Sequence, residues 1–415
     1  MPPILLQPDP YAPGAEMTVA SPPMALIGED IVCFAGEDWW YHNPHSNFHL
    51  MKAFAAQNRV LFVNSIGVAA PSPRQGRVFW KKLFRKLGSL TRYLRRSPEG
   101  ILVLTPIALP MLGRWRARIT WVNTVLLLIQ LRVLLWALRM RRPILWVTLP
   151  TVKDVALALN RRAKCLVYYC VDNISQYAGA DAYEVFLQET ALQRAADLAF
   201  FVNEDLVEER RSYNAKTLYL GHGVDFEHFA AAQHPVTPEP EDLRDIPRPI
   251  VGYFGLVRDL NLFLIRYLAE RNPEISLVFL GEVAMDVSSL NALPNVYFLG
   301  RRPYETLPQY GKAFTCCGLY YQTGDGFNDY RNPKKLLEYL ATGKPIVSVA
   351  LRHLAFLQGL VAVAHSPREF NQQLQQALID APNAAARLAR MAYARQQTWD
   401  HIAARAASLI TSVAR

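Results

Sequence analysis

Short apolar runs alternate with helix-like stretches along most of this chain, and that alternation restricts its fold more than any other feature. Ile31–Ala35, Arg59–Asn64, Ile101–Thr105, Ile144–Val147 and Cys165–Cys170 have the length and residue types of buried strands. His45–Ala56 and Trp115–Met140 read as helices between them. The proline- and acid-rich stretch Ala230–Pro249 then reads as a linker. Beyond it a second series begins, with Ile250–Gly255, Leu277–Gly281, Val296–Gly300 and Ile346–Val349. Strand, helix, strand at these spacings predicts parallel α/β sheets. A chain of 415 residues has room for two such domains, and 51% hydrophobic residues suffice for both cores. The expected division is a disordered lead-in over 1–30, a first domain over 31–235 and a second over 236–415. A last helix is expected over 396–415.

One stretch, Asn328–Ser348, reads as loop, helix, turn and strand. Asn332-Pro333 opens the helix, where the missing proline N–H costs little. Leu336, Leu337 and Leu340 form its apolar stripe, and Gly343 ends it. Lys335 and Glu338, three apart, share a face. Unpaired amides at such a helix start favour an anion such as diphosphate, and a nearby cation adds to that. A carboxylate one turn on can bind a diol such as ribose. An ordinary surface ion pair has the same spacing.

The run Pro333-Lys334-Lys335-Leu336-Leu337-Glu338-Tyr339-Leu340-Ala341-Thr342-Gly343-Lys344-Pro345-Ile346-Val347 resembles the signature of retaining GT-B glycosyltransferases of family 4. The likeness is greatest to bacterial teichuronic-acid and exopolysaccharide types. It implies that Lys335 lies near the donor diphosphate and Glu338 binds the nucleotide ribose. Asn332 falls in the same donor-binding stretch. Many members carry a second Glu eight residues before the first, contacting the donor sugar; here that position is Tyr330. Further upstream, Tyr168–Asp172, Ala196–Asn203 and His222-Gly223-Val224-Asp225 with Phe229 are similar to other segments of that family. His222 stands where its asparagine is usual, and Asp172 occupies a region where it often has a histidine near the donor sugar. Asp172 also reads as a capping carboxylate at a strand end.

Other candidates come from the residues themselves. Gly255 permits close backbone approach to phosphate, and Arg258 has a fork that suits it; a structural turn explains the glycine equally. The family's Lys-Gly after this loop is missing, so Arg258 stands in. Asp38, His42 and His45 follow the first strand, where open α/β sheets bind ligands, and are acceptor-side candidates. The alternative is that Trp39 and Trp40 pack while the histidines are solvated.

The net charge of +10 is unevenly spread. Arg74–Arg142 holds sixteen lysines and arginines against one acid, Glu99, so the remainder is acidic. Such asymmetry points to an anionic surface. No zinc-finger, basic-zipper or RNA-binding signature accompanies it, so nucleic acid is not expected. Trp80, Phe84, Trp115, Trp121 and Trp136 among the cations fit a bilayer with anionic lipids. Phe79–Arg96 reads as an interfacial helix or a solvated insertion. The longest charge-free run in Trp115–Met140 is Ile119–Leu131, short of the roughly 20 residues that span a bilayer, so peripheral attachment is expected. The five cysteines (Cys33, Cys165, Cys170, Cys316, Cys317) lack metal or disulfide spacing, and the first thirty residues lack a signal-peptide pattern. A cytoplasmic enzyme on the inner membrane face follows.

The resemblance implies two Rossmann-like domains facing across a cleft, with no cofactor and no metal. It implies a UDP- or GDP-sugar donor, a saccharide or lipid-linked acceptor, and Arg258 with Lys335 as the cations meeting the leaving diphosphate. Asp172 would orient the sugar or assist the acceptor. The rival readings are a nucleotide-sugar 2-epimerase of the same fold and a non-catalytic member of a polysaccharide assembly complex.

Overall fold

The computed structural model describes residues 23–40, 44–65, 93–109, 116–171, 182–324, 328, 331–357 and 359–414. His42, Asp172 and Tyr330 lie outside the described residues, as do the basic stretch from Arg74 to Arg92, with Trp80 and Phe84, and Trp115.

The first sheet contains β1 (Asp30–Phe34), β2 (Arg59–Val63), β3 (Leu94–Arg96), β4 (Leu102–Leu104), β5 (Ile144–Val147), β6 (Cys165–Cys170), β7 (Leu198–Phe201) and β8 (Thr217–Tyr219). Its order is β3-β4-β2-β1-β5-β6-β7-β8, and all neighbours pair in parallel except β3 with β4. The helix expected over Phe79–Arg96 is therefore wrong at its end, since Leu94–Arg96 is a strand that pairs with Leu102–Leu104. The second sheet contains β9 (Ile250–Phe254), β10 (Ser276–Leu280), β11 (Val296–Gly300), β12 (Cys316–Leu319), β13 (Ile346–Val349) and β14 (Ala362–Ala364). It is parallel throughout, in the order β11-β10-β9-β12-β13-β14. The sheet thus reverses direction between β9 and β12, and the first sheet does so between β1 and β5.

Helices cover both faces of such sheets, so their strands are apolar on both sides. In β1, Ile31 and Cys33 enter one core while Val32 and Phe34 enter the other. The first of these cores takes Leu50 and Phe54 from α1 (Ser46–Ala55). The second takes Leu127, Leu131, Leu134 and Leu135 from α2 (Arg116–Ala137) and Val155 from α3 (Lys153–Asn160). Along α2, residues 118–137 are long and apolar enough to cross a membrane by length and composition. The charge-free run underestimated this segment because the helix continues through Arg132. Its four buried leucines nevertheless pack on the sheet, leaving Trp121, Ile129, Val133 and Trp136 exposed.

The first domain continues through α4 (Ala182–Ala195) and α5 (Glu204–Arg210). Phe226 and Phe229 of α6 (Phe226–Ala230) already belong to the second core. Residues 231–249 are pinned to the second domain: Lys312 donates to the carbonyls of His234, Pro235 and Thr237, and Gln233 to that of Thr342. The second domain adds α7 (Leu262–Arg271), α8 (Leu307–Ala313), α9 (Lys334–Thr342), α10 (Pro367–Ile379) and α11 (Ala384–Gln396). The last helix, α12 (Trp399–Val413), packs Trp399, Ile402, Ala403 and Ala406 in the first-domain core beside Leu50. Before β1 the chain is held down: Leu26 is buried, and Asn58 donates to its carbonyl at 2.9 Å. The disordered lead-in expected over 1–30 is therefore too long at its C-terminal end.

Candidate functional site

Open parallel sheets bind ligands outside the carboxyl ends of their strands, where the strand order reverses. In the second sheet that place lies beyond β9 and β12, and α9 comes to it. Pro333 stands at the N-cap of α9, and Gly343 ends the helix in the left-handed region at φ 71°. Leu336, Leu337 and Leu340 are buried in the second core. The Tyr339 hydroxyl accepts from the Phe254 amide at 3.0 Å, which pins the helix to the end of β9. This attachment turns the first turn of α9 toward the loop that follows β9.

Lys335 donates to the Tyr253 hydroxyl, with its ammonium 3.9 Å from the centre of the Tyr253 ring. Gly255, at φ 132°, lets the backbone pass directly beside it. A Cβ there would sit 2.5 Å from Lys335 Nζ. Burial and the neighbouring Arg331 guanidinium pull the Lys335 ammonium down to about 7, with Glu338 opposing. Two basic side chains thus share this corner, with Asp259 against Arg331 and Glu338 acting on Lys335, and their juxtaposition suits a bound diphosphate.

Arg331, not Arg258, is the guanidinium beside Lys335. Its side chain is 15% exposed, stacks over Tyr321 at 4.7 Å and reaches Asp259 at 3.5 Å. Arg258 is paired with the adjacent Asp259 at 3.0 Å and is 44% exposed. Asp259 therefore ties both arginines to the loop, itself bound to the end of β12 through Gln322 N–H donating to the Asp259 carbonyl. Sequence reasoning missed Arg331, although it stands directly before the Asn332-Pro333 helix start. Lys335 and Glu338 lie three apart on α9 as expected, and Glu338 acts electrostatically on Lys335, but the two do not form the ordinary surface ion pair that this spacing also allows. Glu338 is buried and its ion partner is Lys334, at 3.2 Å.

The first domain contributes the opposite wall. Lys334 donates to the Pro44 carbonyl at 2.8 Å, and Asn332 to the Val202 carbonyl at 2.9 Å. His222, expected on the donor side, instead bonds Ser46 at the start of α1, at 2.9 Å, and is buried. His49 stacks on Trp399 at 4.9 Å. Burial first, then the charges of Lys334 and Lys52, pull its imidazole down to about 2, so it is neutral. Asp38 accepts from the Trp40 amide at 3.0 Å, a local turn contact. Its neighbour Glu37 is the buried carboxyl of this loop, held by Asn47 Nδ2 at 3.3 Å, and burial pushes it up to about 7. Sequence reading passed over Glu37 because nothing local distinguishes it from Asp38. Among the described residues, no group of three or more His, Cys, Asp or Glu side chains could hold a metal ion.

No protein-family model matches the chain. Over 163 residues it is 25% identical to a Bacillus subtilis (strain 168) protein provisionally named teichuronic acid biosynthesis glycosyltransferase TuaH. That match spans 38% of this chain and 40% of the relative. Among solved structures, Anabaena HepE in complex with UDP and glucose is similar with a TM-score of 0.61 at 15% identity, covering 93% of this chain and 100% of that one. The UDP-forming alpha,alpha-trehalose-phosphate synthase from Burkholderia vietnamiensis gives 0.62 at 14% identity, covering 94% and 98%. The N-terminal domain of Candida albicans trehalose-6-phosphate phosphatase gives 0.64 at 10%, covering 95% and 98%. The two reversing parallel sheets, the helix crossing back at the end and these likenesses together make this a GT-B fold, two Rossmann-like domains facing across a cleft.

Proposed function

We propose that the protein is a glycosyltransferase. It moves a sugar from a UDP- or GDP-sugar to a saccharide carried on a lipid, with retention at the anomeric carbon. The observation that carries this reading is the pairing of Lys335 and Arg331 beyond β9, with Glu338 one turn along α9. As the bond from the sugar to the diphosphate breaks, negative charge grows on the departing oxygen. Cations already in place lower the free energy of that state more than of the ground state. Glu338 accepts from the ribose hydroxyls, and Gly255, having no side chain, leaves the place beside the backbone to the Lys335 ammonium that meets the diphosphate. The name of the Bacillus relative and the UDP bound to HepE support this choice of donor and pathway.

The acceptor reaches the enzyme at the inner face of the cytoplasmic membrane, where the first domain docks peripherally. The exposed side of α2 supports this part. Trp121 is 67% and Trp136 82% exposed, with Ile129 and Val133 between them and Arg118 and Arg132 alongside. Tryptophans at headgroup level and arginines at anionic lipids suit a helix lying in the interface. Asn123 and Gln130, each through two bonds, hold the backbone of Leu109 and Ile107 against α2, which adds two exposed apolar side chains.

A screen of UDP- and GDP-sugars against polyprenyl-diphosphate-linked saccharides, with the product anomer read by NMR, tests the reading. Transfer with retention is expected. Sugar-nucleotide turnover without any acceptor would instead indicate an epimerase, and no binding of any sugar nucleotide would indicate a non-catalytic subunit.

A further inference from the structure

The segment Arg331–Lys335 sends its side chains to two destinations. Arg331 and Lys335 stand together at the corner proposed for the diphosphate. Asn332 and Lys334, between them in the chain, reach into the first domain instead. Asn332 Nδ2 donates to the Val202 carbonyl, directly after β7, at 2.9 Å. Lys334 Nζ donates to the Pro44 carbonyl, just before α1, at 2.8 Å. The rim that Lys334 meets is firmly set. Asn47, in the first turn of α1, is buried, and its Oδ1 accepts from Trp146 Nε1 and from Thr148 Oγ1, both at 3.1 Å. Its Nδ2 donates to Glu37 at 3.3 Å. The start of α1 is thereby tied to the end of β5 and to the loop after β1.

Lys334 also serves its own domain. Its ammonium pairs with Glu338 Oε1 at 3.2 Å, and Glu338 is buried. A buried carboxylate deprived of its cation is strongly disfavoured, so this pairing persists whether or not the domains touch. One ammonium therefore has acceptors on both domains, and it satisfies both only while Pro44 and Glu338 are close together. Arg352 gives the contrast. It reaches Asp205 of α5 at 3.9 Å, with side chains 58% and 45% exposed. An ion pair so open to water contributes little.

Resting on the glycosyl-transfer reading, we propose that Lys334 is a positioning residue that couples nucleotide binding on the second domain to the approach of the first. Lys334 holds Oε1 of Glu338, which leaves Oε2 to accept from a ribose hydroxyl. Pro44 fixes Lys334 in turn, so the carboxylate is best oriented for ribose when the domains are together. Such coupling is reciprocal: a ribose that favours this orientation favours the bond to Pro44 by the same factor. A nucleotide seated on the second domain thereby draws in the domain that receives the acceptor. Asn332 extends the same approach to Val202. Because Asn332 and Lys334 adjoin Arg331 and Lys335 in the chain, closure also sets the two side chains that meet the diphosphate.

The test reads the first domain while ligand is offered to the second. Backbone hydrogen exchange is followed in wild type, Lys334→Met, Lys334→Arg and Arg352→Ala, with UDP or GDP, whichever binds by calorimetry. Bound nucleotide is expected to slow exchange in wild type over 46–50 and 204–208, the starts of α1 and α5. Lys334→Met is expected to lose that protection and to bind nucleotide about 10-fold more weakly, the scale of a hydrogen bond to a charged group. Lys334→Arg restores part of both, and Arg352→Ala behaves as wild type. In a Glu338→Gln background the affinity loss from Lys334→Met is expected to fall below about twofold, because the carboxylate that Lys334 orients is gone. Lys334→Gln replaces the methionine variant, with the same expected losses, if that variant does not fold. Unchanged first-domain exchange when wild type binds nucleotide, wild-type protection without Lys334, or full additivity with Glu338→Gln overturns the coupling and leaves the glycosyl-transfer reading standing. A wild-type protein that binds neither nucleotide overturns that reading, and the coupling with it.

Discussion

Lys334 spans the cleft to Pro44: its ammonium, on the first turn of a second-domain helix, donates to a first-domain carbonyl at 2.8 Å. The same ammonium pairs with Glu338 at 3.2 Å. One side chain thus ties the proposed ribose carboxylate to the opposite domain, and loss of either partner is felt on both sides.

Glu338→Ala is expected to weaken UDP binding by about 1–3 kcal/mol, the scale of hydrogen bonds to a charged group. Calorimetry with UDP reads this directly. Unchanged affinity in a variant with a wild-type melting profile would remove Glu338 from the ribose site.

Lys335→Ala and Arg331→Ala are expected to lower kcat/KM by about 100-fold each, since both meet the charge that develops on the leaving group. Arg258→Ala is expected to cost less than either, because that side chain is half-exposed and engaged with Asp259. A ranking with Arg258 first would return the sequence-based pairing of Arg258 with Lys335.

UDP binding near pH 8 is expected to take up protons. Lys335 sits at about 7 in the empty site, and a diphosphate beside it restores the charged form. The check is calorimetry in buffers of different ionisation enthalpy, where a buffer-independent heat refutes the assignment. The same group sets a stability trend. Its folded value lies below its ordinary 10.5, so between about 7 and 10.5 the unfolded chain binds more protons and stability from this group rises with pH. Lys335→Met should therefore raise Tm at pH 7, with an advantage that shrinks toward pH 10.

Flotation with anionic and neutral vesicles tests the membrane reading. Wild type is expected to float with anionic vesicles at low salt and to be released by salt. Trp121→Ser with Trp136→Ser, and separately Arg132→Glu, should shift protein to the soluble fraction. Equal recovery of wild type and variants in that fraction rejects docking through α2.

Trp399→Ala is expected to destabilise the protein by about 3–5 kcal/mol, because it empties a large site in the first-domain core. Gly223→Ala should destabilise at the same contact, since its Cβ would lie 2.7 Å from the Trp399 ring. Denaturant unfolding reads both, and a silent Gly223→Ala would contradict this packing.

What the sequence made legible was local. The bounds of Ile144–Val147, Cys165–Cys170 and Ile346–Val349 were read without error, because strands buried on both faces appear as unbroken apolar runs. Lys335 and Glu338 fell on the expected helix because helical spacing is a property of neighbours. Partners contributed by distant elements were hidden. Nothing near Lys334 in sequence announces Pro44, and nothing near Glu37 announces that Trp146 and Thr148 fix the amide that holds it. Arg331 was overlooked for a different reason: its stacking on Tyr321 depends on how β12 ends, which no spacing encodes.

The crossing-back of α12 has a mechanical consequence. The chain leaves the first domain at Val224 and re-enters at Thr398, and there the two passages lie side by side. Val224 N–H donates to the Gln397 carbonyl at 2.8 Å, and Val224 and Thr398 form a parallel bridge. A body joined to its neighbour by two adjacent, mutually bonded tethers has little freedom to slide or twist. Any relative motion of the two domains is therefore expected to be a swing about this one axis, in which the residues farthest from it travel the most for each degree of turn.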